Sequence, residues 1–163
     1  MSKKKAGLTV IVSLAVVSTI VFSVVMCGSY TYKEGDFSLT ITVDKTELRV
    51  GDTIEVTVTF KNLSGRKHRI IHPAGDIMSM VSLKFVPKGE ELSFGWVLES
   101  SSDVMEKSAV LEDKFSWEVR ESGEYCMAAC AYFRIVRSYY INLFYGDVRM
   151  DIYSPIINII IQE

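Results

Sequence analysis

The stretch FSLTITV, residues 37–43, alternates apolar and polar side chains one by one, and TIEVTVTFK, residues 53–61, repeats the pattern. A period of two turns successive side chains to opposite faces of a strand, so that one face is buried and the other meets water. Further alternating segments, separated by turn residues, are found at residues 81–85, 92–98, 115–119 and 156–162. The chain is therefore predicted to be all-β, with antiparallel strands arranged as a sandwich or barrel.

Two more strands are predicted, and one segment is predicted to lack regular structure. Residues 66–72 read as a strand ended by Pro73, and residues 125–136 follow the turn residues Glu121 to Glu124. Residues 100–107 are polar and do not alternate, which favours a loop with at most one helical turn.

The N-terminus carries the features of an export or anchoring segment. Lys3, Lys4 and Lys5 precede an uncharged apolar run from Leu8 to Met26. A run of about 19 residues is near the ~20 that cross a bilayer as a helix, and the lysines should stay cytoplasmic. We therefore expect a transmembrane or signal helix within residues 1–27, a linker over 28–36, and a single domain over 37–163 on the extracytoplasmic face of the cell membrane.

Three fates remain open for this segment. It is retained as a signal anchor, cleaved near residues 27–29, or cleaved before Cys27 with lipid attached to that cysteine. The stretch VVMCGS, residues 24–29, resembles a bacterial lipoprotein signal, and this resemblance makes Cys27 the candidate lipidation site.

Charge and motifs narrow the class of function. The formal net charge is −2, and part of the positive charge lies in the N-terminal tail, so the remaining domain is mildly acidic and a nucleic-acid partner is not expected. The chain has no nucleophile elbow, no phosphate-binding glycine loop and no zinc-type His/Cys spacing. We therefore predict a protein without catalysis and without a cofactor.

Two regions carry a family resemblance. DKTELRVGDTIEVTVTFKN, residues 44–62, resembles the first two strands of bacterial extracellular immunoglobulin-like domains, and FSW, residues 115–117, with ESGEY, residues 121–125, is similar to their E strand and E–F corner. The resemblance implies an immunoglobulin-like β-sandwich in which the hydroxyl of Tyr125 closes that corner. A looser similarity to the intracellular proteinase inhibitor family implies an alternative function, protease inhibition.

The cysteine spacing argues against an internal disulfide. Cys126 and Cys130 share one strand face, where four residues span roughly 13 Å. A disulfide needs Cα atoms within about 7 Å, so the two are predicted to be separate, largely buried thiols.

A hairpin near the C-terminus is the predicted recognition element. Residues 139–145 and 148–153 flank Gly146-Asp147, a dipeptide suited to a two-residue turn. Pairing the two strands places one polar and aromatic face opposite an apolar one, and such faces supply contact area with little loss of side-chain entropy. The predicted partner-binding residues on that face are Tyr140, Asn142, Phe144, Arg149, Asp151 and Tyr153. The same face could also serve only as the solvated side of a sheet.

A soft-metal site is a further alternative. His72, Met78 and Met80 are close in sequence, and the two methionines are expected on one outward strand face. Imidazole and thioether ligands suit Cu(I), although such methionines more often pack in a core. The sequence thus predicts a binding or structural module for a protein or cell-surface ligand, with protease inhibition and copper binding as alternatives.

Overall fold

The computed structural model of the protein describes residues 32–33, 35–95, 100–136 and 147–163. Its strands are β1 (Phe37–Val43), β2 (Glu47–Arg49), β3 (Thr53–Asn62), β4 (His68–Pro73), β5 (Val81–Pro87), β6 (Ser100–Met105), β7 (Val110–Glu118), β8 (Gly123–Ile135), β9 (Val148–Tyr153) and β10 (Ile157–Gln162). A turn of 3-10 helix, Ile77–Met80, precedes β5. In these residues no helix is long and apolar enough to cross a membrane. The predicted N-terminal helix and Cys27 lie outside them.

The strands form two sheets. β1, β3 and β7 make a three-stranded antiparallel sheet in that order. The second sheet is built around the 13-residue β8, which pairs with β9 and β10 along one edge and with β4 and β5 along the other. β6 extends this sheet beyond β4, and β2 runs parallel to β10. The fold is the predicted immunoglobulin-like β-sandwich.

The two-residue period produces the core. In β3 the residues Ile54, Val56, Val58 and Phe60 are all buried, and their neighbours along the strand point away from the core. Burying such a side chain contributes roughly 1.5–3 kcal/mol relative to leaving it in water. Opposite them, the inward side chains of β8 are buried as well, Phe133 among them.

Three rings join the sheets in what we term the phenylalanine cluster: Phe37, Phe60 and Phe133. Phe133 meets both other rings edge to face, with centroids 5.3 Å from Phe37 and 5.6 Å from Phe60. Phe37 and Phe60 stack at 5.9 Å. Because these geometries suit the quadrupoles of the rings, each pair adds about 0.5–1.5 kcal/mol to the burial of its area.

His68 lies against the phenylalanine cluster. Its ring centroid is 5.6 Å from that of Phe37, and its Nε2 is 2.7 Å from the hydroxyl of Ser64. That hydroxyl in turn donates to Oδ1 of the buried Asn62, at 2.6 Å. Burial lowers the pKa of the His68 imidazole below its ordinary value, and the charge of Arg66 lowers it further.

The corner before β8 has the predicted construction. The hydroxyl of Tyr125 donates to the carbonyl of Glu121 at 3.5 Å, a long hydrogen bond that spans the turn. Gly123 has φ +148°, a conformation that L side chains rarely adopt, and a Cβ there would lie 3.4 Å from the Tyr125 ring. The backbone conformation of the turn therefore favours glycine, whereas the ring lies at an ordinary van der Waals distance from that position.

Two secondary-structure predictions are wrong. The first part of the predicted loop over residues 100–107 is β6, which pairs with all six residues of β4. Backbone pairing with β4, the contact of Asp103 with His72 and the burial of Met105 hold this edge strand, so its sequence needs no apolar alternation. The predicted strand over residues 92–98 is absent from residues 92–95, and residues 96–99 lie outside the described ranges.

Candidate binding surface

One face of the second sheet carries the described half of the predicted recognition residues. β8 and β9 pair so that Cys130 is opposite Tyr153, Tyr132 opposite Asp151, and Arg134 opposite Arg149. Paired residues point to the same side of a sheet, so these six form one continuous surface. We define the β8–β9 face as Cys130, Tyr132, Arg134, Arg149, Asp151 and Tyr153.

The strand pattern directs this face away from the core. Along β9 the side chains Arg149, Asp151 and Tyr153 are exposed, and the intervening ones are half-buried against the interior. Tyr153 is the most accessible, with 63% of its surface exposed. The prediction that these three residues share an outward face is thus confirmed, and their role in binding stays a prediction.

Charges on the β8–β9 face are arranged in compensating pairs. Arg134 and Arg149 are direct cross-strand neighbours, which would be unfavourable on its own. Each has an acidic partner: Nη1 of Arg134 lies 3.8 Å from Asp147, and Nε of Arg149 donates to Asp151 at 3.2 Å. The guanidinium of Arg149 also lies 4.9 Å from the centre of the Tyr132 ring, a cation–π distance. The charged side chains of this face are therefore oriented by their ion pairs, and Arg149 is oriented also by the ring of Tyr132.

The end of the face near β10 contains a covered thiol. Cys130 is buried, and its cross-strand neighbour Tyr153 packs at 6.1 Å from the ring of Phe94. Burial raises the pKa of the Cys130 thiol, and the carboxylate of Asp151 raises it further. Cys126 is only half-buried, and both cysteines are free thiols, as the spacing predicted. The prediction that both are largely buried holds for Cys130 alone.

The other half of the predicted site cannot be placed. Tyr140, Asn142 and Phe144 lie outside the described residues, as does the first strand of the predicted hairpin, residues 139–145. The structure identifies a strand partner of β9 that the sequence did not predict, because β8 supplies a cross-strand neighbour to every residue of β9. Tyr132 and Arg134 were not recognised in the sequence, since only tertiary pairing places them beside Asp151 and Arg149.

The strand-face placement on which the predicted copper site of His72, Met78 and Met80 depended is wrong. The two methionines lie in the 3-10 helix, not on a strand face, and Met80 is buried in the core. Both ring nitrogens of the buried His72 are occupied: Nδ1 donates to the Pro73 carbonyl at 2.8 Å, and Nε2 lies 2.9 Å from Asp103. Among the described residues, no three His, Cys, Asp or Glu side chains are grouped to hold a metal.

A second surface feature was not predicted. Three aromatic residues from different strands, Phe85, Trp117 and Tyr125, line a groove of about 380 Å³. The ring of Phe85 stacks on Tyr125 at 4.8 Å and meets Trp117 at 5.5 Å and 61°. We define the aromatic groove by its lining residues Phe85, Ser116, Trp117, Glu118, Val119, Arg120, Glu121, Tyr125 and Ile161. Seven of its nine lining residues fall within residues 116–125, but Phe85 and Ile161 come from strands distant in sequence, so a local pattern does not reveal the groove.

The chain is similar to several solved structures. The CARDB domain of a Pyrococcus furiosus protein in complex with di-metal ions is 12% identical, with a TM-score of 0.46 over 82% of this chain and 100% of that one. The C-terminal domain of wzt is 10% identical, with a TM-score of 0.44 over 82% and 78%. The ASH/PapD-like domain of human CEP192 is 12% identical, with a TM-score of 0.37 over 82% and 92%. No protein-family model and no curated protein matches the chain.

Proposed function

We propose that this protein is a non-catalytic binding module, held at the extracytoplasmic face of a cell membrane, that recognises a protein or cell-surface partner. The observation that carries the proposal is the β8–β9 face, where aromatic and charged side chains lie together on two paired strands of the sandwich. Tyr140, Asn142 and Phe144 would extend this surface.

The backbone under the β8–β9 face is held by strand pairing. β8 pairs with neighbours along both edges, and its inward side chains are buried in the core. A surface whose backbone and side chains are already ordered loses little conformational entropy on binding, so more of its contact energy appears as affinity.

The side chains on this face are those that dominate protein interfaces. Tyrosine and arginine are enriched among residues whose truncation costs at least about 2 kcal/mol of binding energy. Tyr153 offers an exposed ring, and Arg149 is held in place by Asp151 and by the ring of Tyr132. The acidic partners also make the face selective, because a partner must match a fixed order of positive and negative charge.

The proposed location rests on the sequence alone. Lys3, Lys4 and Lys5 before an apolar run of about 19 residues support a signal or anchor segment. Lipidation of Cys27 would be one way to hold the mature protein at the membrane. Mass spectrometry of the mature N-terminus decides among retention, cleavage and lipidation.

The binding proposal is tested with a variant that truncates three side chains of the face. It removes both members of the Arg149–Asp151 ion pair, so that neither charge is left without its partner. The variant Arg149→Ala, Asp151→Ala, Tyr153→Ser removes an ion pair together with the exposed ring. Its control, Thr42→Ala, Glu55→Ala, Lys61→Ala, changes three exposed residues on the other sheet. Tagged full-length proteins are expressed in the native host, cross-linked and recovered from the membrane fraction, and the partners are quantified by mass spectrometry.

We expect the face variant to lose its specific partner by at least about tenfold, and the control variant to keep it. Both variants should melt within a few degrees of the unmodified protein. Undiminished recovery with a folded face variant would refute the proposal. Protease inhibition, the alternative from another functional class, is examined separately with a panel of proteases, and stoichiometric inhibition would favour it.

A further inference from the structure

We propose that the aromatic groove binds a small organic cation, a trialkylammonium or tetraalkylammonium group. This site is separate from the β8–β9 face, with which it shares no residue. Three kinds of observation carry the proposal: inclined aromatic rings, an excess of carboxylates, and walls held by hydrogen bonds.

The rings provide faces for a cation. Trp117 has 37% of its surface exposed, and its ring is inclined by 61° to that of Phe85. Tyr125 stacks on Phe85 with an angle of 14° between the planes, so each of these two rings covers one face of the other and keeps its second face for other contacts. The face of an aromatic ring carries negative electrostatic potential and attracts cations within about 6 Å, most strongly for tryptophan.

The charged residues of the groove favour the same sign of ligand. Glu118 and Glu121 line it together with a single basic residue, Arg120. Nη2 of Arg120 lies 4.0 Å from Glu118, a loose and exposed contact. Two carboxylates and one guanidinium give the groove a net negative charge at neutral pH, which attracts a cation and repels an anion.

The walls of the groove are fixed by hydrogen bonds. Val119 accepts a bond from the Gly51 amide at 2.8 Å and donates to the Asp52 carbonyl at 2.9 Å. On the other side, Tyr125 is tied to Glu121 by the corner bond. A volume of about 380 Å³ falls within the ~300–1,000 Å³ range of small-molecule sites, so one alkylammonium group fits an already formed groove.

The ligand class is tested with choline and its neutral isostere, 3,3-dimethylbutan-1-ol. The full-length protein is titrated in a non-ionic detergent, and binding is followed by calorimetry and tryptophan fluorescence. We expect saturable binding of choline with a dissociation constant on the order of 0.1–1 mM, and affinity for the isostere at least tenfold lower. Equal affinity for the two compounds, or no saturable binding of choline, would overturn the proposal.

Variants assign the binding to the groove. Trp117→Leu keeps apolar bulk but removes the ring and should weaken choline binding by about tenfold. Glu118→Gln with Glu121→Gln should weaken it by about threefold to tenfold. Glu90→Gln with Glu91→Gln changes the net charge equally at exposed residues outside the groove and should have no effect. If Trp117→Leu does not fold, the glutamine pair decides alone, and an unchanged affinity in that pair overturns the proposal.

A final comparison separates a free cation from a lipid head group. Glycerophosphocholine carries the same ammonium with an added phosphate, which the groove carboxylates should repel. Weaker binding of glycerophosphocholine than of choline is expected for a free organic cation. Tighter binding would overturn that assignment, and binding of glucose with no binding of choline would overturn the cation itself.

Discussion

The two aromatic clusters of the sandwich have similar ring spacings but opposite exposure. In the phenylalanine cluster the centroids are 5.3–5.9 Å apart and every ring is buried. In the aromatic groove they are 4.8–5.5 Å apart, yet Trp117 is exposed. Strand position alone does not produce the difference, because Phe37 is buried on the edge strand β1 whereas Tyr125 lines the groove from the inner strand β8. Ring proximity alone therefore does not distinguish a core from a binding surface.

The comparison is tested most strongly by Phe60→Ala in the phenylalanine cluster. Phe60 is fully buried and contacts Phe37 and Phe133, so its loss leaves a cavity that the two sheets cannot readily close. We expect a decrease of about 3–5 kcal/mol in the free energy of unfolding, measured by chemical denaturation of the full-length protein. A decrease under about 1 kcal/mol would show that this cluster is not the stabilising core.

Trp117→Ala makes the matching change in the aromatic groove. The side chain is already partly in water, and its loss enlarges an open groove instead of creating a closed cavity. We expect a decrease of only about 1 kcal/mol, measured in the same denaturation series. A loss as large as that of Phe60→Ala would place Trp117 in the core and would remove the contrast between the clusters.

Two members of the phenylalanine cluster could be predicted from the sequence as buried, whereas the groove could not be predicted. Alternation in residues 37–43 and 53–61 assigns Phe37 and Phe60 to a buried face, since period two is a local property. The corner of Tyr125 was also recognisable, because the turn and the tyrosine lie within five residues. Phe85, by contrast, meets Trp117 only after two separate sheets have packed together.

The loop prediction for residues 100–107 failed for the same reason, because the strand with which they pair is distant in sequence. Residues 100–105 have no apolar alternation, yet the free edge of β4 gives them a backbone partner. Within this segment the partly exposed Asp103 lies 2.9 Å from Nε2 of the buried His72, so a side-chain contact also joins the edge strand to its neighbour. On the β8–β9 face, alternation located Arg149, Asp151 and Tyr153, whereas Tyr132 and Arg134 required the register of β8 with β9.

The pH dependence of stability gives the smallest and most selective test, because His68 contacts the phenylalanine cluster and does not line the groove. Burial and Arg66 lower the pKa of His68 in the folded state, so the unfolded state takes up a proton first as the pH falls. Stability should therefore decrease on acidification from about pH 6.5 down to the lowered folded-state pKa, and should be unaffected by this group above that window.

Unfolding curves of the full-length protein at several pH values, compared with those of His68→Gln, isolate the contribution, because the other titrating groups are common to both. The His68→Gln curve should be flatter in this window, since it lacks the group whose neutral form the core favours. Parallel curves would mean that His68 is protonated as easily beside Phe37 as in water, and that the closed cluster admits solvent as the groove does.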